Sequence, residues 1–122
     1  MTNRPQRDIE AGITKERSPH WHKVEKDVLS KNPVCASCGT TDKLQVHHMR
    51  PFHLYPELEL DESNLIVLCM EKEHECHLKL GHGDDWKAYN PNVKKDVATV
   101  HGNVKLLNET AELAKKDRLY EK

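Results

Sequence analysis

Residues Leu44–His82 read LQVHHMRPFHLYPELELDESNLIVLCMEKEHECHLKLGH, and the fold turns on how this stretch is divided. Leu44-Gln45-Val46-His47 alternates apolar and polar, while Leu65-Ile66-Val67-Leu68 is a short continuous apolar run, so each predicts a β-strand. Met49–Asn64 between them carries Pro51, Pro56 and a series of acidic side chains, which predicts a loop. Glu73–Leu80 predicts a short helix closed by Gly81-His82-Gly83. The expected order is strand, loop, strand, helix.

Two cysteine pairs bracket this unit. Val34-Cys35-Ala36-Ser37-Cys38-Gly39 is a C-x2-C knuckle with a glycine that permits the tight turn bringing both sulfurs to one ion. Cys69 and Cys76 form the partner pair, and two pairs from separate hairpins are what a tetrahedral structural Zn²⁺ takes. Their C-x6-C spacing is wide, so residues 70–75 either loop out or bring His74 in as a ligand in place of one cysteine. In a reducing compartment such paired thiols are better explained by metal than by disulfides.

Outward from the unit, Ser18-Pro19 predicts a helix start, with Trp21, Val24, Val28 and Leu29 at helical spacing and Asn32-Pro33 as the stop. Asn90-Pro91 opens a second helix through Val93, Val97 and Val100, which His101-Gly102-Asn103 interrupts. A last helix is expected from about Val104, with Leu106, Leu107, Leu113, Ala114 and Leu119 on its apolar stripe. This divides the chain into a polar arm over 1–17, expected to be mobile, a core over 18–83 and a helical extension over 84–122.

At 122 residues and 36% hydrophobic side chains the chain can build one thin core, which a metal staple would strengthen. Charge is nearly balanced, with 19 Lys and Arg against 20 Asp and Glu. Residues 34–83 are the acidic third, with four basic side chains against eight acidic, so phosphate contacts are expected from the flanks. No apolar stretch approaches the ~20 residues of a membrane helix, and the N-terminus lacks an apolar signal core; the expectation is a cytoplasmic protein.

The polar residues form a pattern of their own. His47-His48 sits at the end of the first strand, Asn64 opens the second, and Cys76-His77 opens the short helix. Cutting a phosphodiester needs a general base and a cation, and imidazole can serve as the base or bind the cation near neutral pH. Neighbouring strand residues face opposite sides, so His47 and His48 can share a phosphate only if the strand ends or bends, as Arg50-Pro51 allows.

In this order and spacing, residues of about 19–83 resemble the HNH endonuclease family, or ββα-metal nucleases, in its four-cysteine zinc-stabilised form. The resemblance implies an α+β fold, a small ββα-metal core with a zinc knuckle, flanked here by an N-terminal helix and C-terminal helices. It implies His48 as general base, His47 and His77 as ligands of a catalytic divalent cation, and Asn64 as the residue that holds the base-bearing loop and orients His48. Family members often carry another histidine one turn after the first, where this chain has Gly81. His82, five residues after His77, lies about 140° around a regular helix and can reach the ion only if the helix unwinds at Gly81; otherwise water completes the shell. Arg50 either clamps phosphate or pairs with Glu57, Glu59 or Asp61.

The implied activity is metal-dependent hydrolysis of DNA, leaving 5′-phosphate and 3′-hydroxyl ends, with a structural Zn²⁺ and a catalytic Mg²⁺ or Mn²⁺, or else Ni²⁺ or Zn²⁺. The alternatives are a zinc-stabilised nucleic-acid-binding module that does not cut, and an assembly protein that uses the knuckle to present its helices. The expected partner is DNA, with no membrane; a homodimer or phage and mobile-element partners are compatible with the residues.

Overall fold

The structure, a computed structural model, describes residues 17–120, so the expected arm lies outside the described residues except for Arg17. The first helix, α1, runs Trp21–Lys31 and begins three residues after Ser18, whose hydroxyl accepts the His20 amide at 3.0 Å. It stops at Asn32, whose amide side chain donates back to Val28 O at 2.9 Å, and Pro33 prevents continuation. Its buried face is Trp21 and Val28.

Strands β1 (Leu44–His48) and β2 (Leu65–Cys69) form the expected antiparallel hairpin, pairing Val46 with Val67, His47 with Ile66 and His48 with Leu65. One face, with Val46, Leu65 and Val67, packs on Trp21 and Val28 of α1. The other meets a core of Cys35, Leu68, Cys69, Cys76 and Leu80. A strand buried on both faces has no polar side to show, which is why β2 reads as an unbroken apolar run. The loop between the strands holds two short 3₁₀ turns, Pro56–Leu58 and Glu62–Asn64.

After β2 the chain departs from expectation. In place of a helix over 73–80 there is a turn at 72–74, a left-handed Glu75 at φ 46°, and then a single widened π-helical turn, His77–Gly81. Helix α2 (Val93–Val100) buries Val93, Val97 and Val100 as its spacing predicts and ends at His101 and Gly102, both with positive φ. A 3₁₀ turn at Val104–Leu106 leads into α3 (Leu107–Asp117). Val93, Val97, Val100, Leu107 and Ala111 join the same core as the cysteines.

The apolar stripe expected on the last helix is wrong in two places. Leu113 is 53% exposed and Leu119 49%; the face buried is Leu107, Thr110, Ala111 and Ala114. Near its end α3 runs hard against Gly83, where a Cβ would lie 2.9 Å from Ala114 O and 2.7 Å from Arg118 Cβ. A two-residue antiparallel ladder, β3 (Ala88–Tyr89) with β4 (Leu119–Tyr120), closes the chain back over the π turn. Among the described residues no helix is long and apolar enough to cross a membrane.

Candidate metal centre and active cleft

The four cysteines come together. Cys35, Cys38, Cys69 and Cys76 place their sulfurs within 4.8 Å of one another, with Cys38 and Cys69 at 3.7 Å, and all but Cys38 are buried. The knuckle turn makes this possible: Cys35 N donates to Thr40 O and Gly39 N to Cys35 O, while Ala36 N donates to Val67 O and ties the turn to β2. The wide C-x6-C spacing is absorbed by the 72–74 turn, and His74 stays with Glu71 at 3.5 Å, outside the sulfur set. Four packed sulfurs cannot share thiolate character equally without a cation. Cys35 is drawn down to about 4 by a hydrogen bond from Cys76, which is itself pushed far up by that bond and by burial, and burial pushes Cys38 up to about 12. A structural zinc fits this donor set, because its charge makes thiolates of all four.

A second set forms from His47, His77 and His82, whose ligating nitrogens also lie within 4.8 Å of one another. His47 comes from β1, and the other two from the ends of the π turn. Widening that turn to i→i+5 bonding carries the fifth residue back over the first, so His77 and His82 come to a ring separation of 5.0 Å. The chain thus brings His82 to the site by widening the helix and not by unwinding it at Gly81. Gly81 has a different use: a Cβ there would lie 3.1 Å from His47 Cε1 and 3.2 Å from both ring nitrogens, so the missing side chain is the space that the His47 ring fills.

Hydrogen bonds fix which nitrogens face inward. His77 Nδ1 donates to Gln45 Oε1 at 2.7 Å and His82 Nδ1 donates to Ala88 O at 2.7 Å, so both Nε2 atoms keep their lone pairs. His77 Nε2 lies 3.1 Å from His47 Nδ1, and His47 Nε2 is buried with no hydrogen-bond partner. Burial depresses all three, with mutual repulsion adding for His47 and His77: His47 falls well below its usual value and His77 to about 3. His47 Nδ1 therefore donates to His77 Nε2, and three neutral imidazoles converging in this way are a donor set that fits a divalent cation, which would take the place of that shared proton.

His48, the next residue along β1, points to the opposite face, where its ring lies 4.7 Å from that of Trp21. Its Nε2 donates to Glu59 O at 3.0 Å, leaving Nδ1 with the lone pair. Burial, with added repulsion from Arg17, lowers it to about 4, so the ring is neutral at pH 7. Because β1 ends at His48, the two faces open into one cleft of about 320 Å³ lined by His47, His48, His77, His82 and, at its rim, Arg17 and Trp86.

Asn64 buttresses the loop. Its Oδ1 accepts from Arg50 N at 2.8 Å and its Nδ2 donates to Arg50 O at 3.1 Å, so it grips the backbone two residues beyond His48 and does not touch that ring. Arg50 settles over Tyr55, 5.3 Å from the ring centre, beside a second cavity shared with Lys94. Glu59 is engaged elsewhere, accepting from Ser18 N and pairing with Arg17.

Residues 35–83 match the family model for the HNH endonuclease. That segment is similar to an HNH endonuclease domain. No curated protein and no solved structure matches the chain. HNH domains are nucleases that use a divalent metal, and the histidines and cysteines assembled here are donor sets of the kind that hold one.

Several residues around the HNH domain were not legible as part of its site. Gln45 orients His77; Ala88 orients His82 through its backbone carbonyl, which no side-chain pattern reveals. Asn90, fully buried, donates from Nδ2 to Leu80 O at 2.8 Å and from its backbone to Gly81 O at 3.0 Å, holding the π turn to the chain beyond the HNH domain. Arg17 sits over Phe52 at 4.6 Å and Trp21 at 5.3 Å, placing one cation of the expected arm at the cleft. An aromatic three residues after the Gly81-His82-Gly83 turn was the available signal for Trp86.

Proposed function

We propose that this chain is a metal-dependent DNA endonuclease in which His48 is the general base, His47, His77 and His82 hold one catalytic divalent cation, and Cys35, Cys38, Cys69 and Cys76 hold a structural zinc. The observation that carries this reading is the convergence of three neutral imidazoles from β1 and the π turn beside a fourth, His48, in the same cleft. A bound divalent cation would supply charge neutralisation at the phosphate and at the departing oxygen. His48 takes the proton of the attacking water at Nδ1 as the water oxygen bonds to phosphorus and the bond to the 3′ oxygen breaks. The Glu59 carbonyl keeps the proton on Nε2, so the basic nitrogen is defined in advance. Asn64 holds the Arg50 backbone and with it the loop after the base, and Arg17 and Arg50 offer cationic contacts to neighbouring phosphates.

The direct test is conversion of supercoiled plasmid by purified protein stripped of loosely held metal, with Mg²⁺, Mn²⁺, Ni²⁺ or Zn²⁺ restored in turn. Metal-dependent nicking or linearisation, stopped by a chelator, is the expected result. Protein that retains its tight zinc yet fails to cut with every one of these metals, while still holding DNA in a salt-dependent way, would instead be a binding module.

Gly81→Ala isolates the metal set from the base. The backbone at 81 is not left-handed, so the added methyl acts chiefly by pushing the His47 ring a few tenths of an ångström. Divalent-ion affinity at the three histidines is expected to fall about ten-fold, as for loss of a residue that orients a ligand. Calorimetric titration with Ni²⁺ would show it, with the tight zinc unchanged.

A further inference from the structure

Trp86 lies outside the HNH domain and yet borders its cleft. The indole meets His77 edge-on, with ring centres 5.2 Å apart and planes at 87°, and His82 obliquely at 4.8 Å and 56°. Neither histidine stacks flat upon it, and half of the residue's surface is exposed. The other aromatics of the cleft, Phe52 and Tyr89, are buried, so Trp86 is the one large flat ring among the described residues that the cleft presents to solvent. Leaving an indole half in water forgoes stabilisation that burial would give, and a ring so placed suits a flat apolar partner.

We infer that Trp86 is a stacking platform for an unpaired DNA base adjoining the scissile phosphate, so that the enzyme prefers single-stranded or frayed DNA to intact duplex. This rests on the nuclease reading above. The geometry supports it in two ways. The platform touches the rings of two of the three histidines, so a base lying on it stands next to the proposed metal and not at a remote surface. Within a duplex both faces of each base are covered by its neighbours, so only a base that is unpaired, terminal or extruded can lie flat on a protein ring. Arg17, whose side chain is 47% exposed and lines the same cleft, offers the adjoining backbone a cation.

The test compares the native protein with Trp86→Phe and Trp86→Ala on a single-stranded oligonucleotide and on its duplex, at saturating divalent metal. Stacking on an aromatic ring is tolerant of which ring it is. Trp86→Ala is expected to raise KM for the single strand about ten-fold with kcat within about two-fold, while Trp86→Phe stays within about three-fold and duplex cutting moves least. An unchanged KM in Trp86→Ala overturns the inference, and so does a defect that vanishes once metal is saturating, because Trp86 then only supports His77 and His82. A parallel titration without added metal uses a single strand carrying 2-aminopurine, whose fluorescence drops on stacking. A drop in the native protein that is lost in Trp86→Ala supports the platform even if nothing is cut, in which case the nuclease reading alone fails; no drop in the native protein refutes the platform.

Discussion

Alanine at position 48 is expected to reduce plasmid cleavage by about 100- to 10,000-fold, the usual contribution of a positioned general base. The size follows from how specialised this ring is. It is 9% exposed, its Nε2 proton is committed to the Glu59 carbonyl, and burial lowers it to about 4, so at neutral pH it stands deprotonated at Nδ1. None of the three clustered histidines can substitute, because their ligating nitrogens converge on one another on the far face of β1. Removing the ring also leaves Glu59 O without its donor and opens space beside Trp21, which costs on the order of 1–3 kcal/mol of stability. Zinc content, circular dichroism and Ni²⁺ binding at the three histidines should therefore be measured on the same sample. Cleavage within ten-fold of the native rate, from protein that keeps all three, would remove His48 from the base's role.

Cys69→Ala is expected to cost the fold itself. A structural zinc contributes on the order of 10 kcal/mol to folding, comparable to the whole stability of an ordinary domain, about 5–15 kcal/mol. Cys69 is fully buried at the end of β2, opposite Leu44, and its sulfur lies 3.7 Å from that of Cys38. Three of the four cysteines also belong to the main apolar core, so losing the ion loosens the hairpin and the packing of α2 and α3 together. The variant should carry no tight zinc by elemental analysis and lose its cooperative thermal transition. A cooperative transition within about 5 °C of the native one would show that packing alone sustains the fold.

These contrasting outcomes trace to features of different legibility. The hairpin and the sulfur set could be read directly because period-two alternation, a doubly buried apolar strand and paired cysteines each leave a local mark. The placement of His82 could not be settled, since arguing from 3.6 residues per turn assumes a regular helix, and the chain uses one π turn instead. Leu113 and Leu119 misled because hydrophobicity does not show that α3 brings Ala114 against Gly83, which buries the face of Leu107, Thr110, Ala111 and Ala114 and turns Leu113 outward. The β3–β4 ladder pairs only two residues on each side, too few for any periodicity. Asn64 was identified by its position in a motif, but its grip on Arg50 rather than on His48 is a matter of three dimensions.

The family match ends at residue 83, whereas the carbonyl that turns His82 inward belongs to Ala88 and the amide that ties down Leu80 and Gly81 belongs to Asn90. The matched segment is therefore not a detachable cassette. Grafted into another scaffold, residues 35–83 would carry the knuckle and two well-aimed imidazoles but leave behind what aims the third. The aim of the third imidazole is accordingly open to tuning from the C-terminal side, through backbone that adds no imidazole of its own.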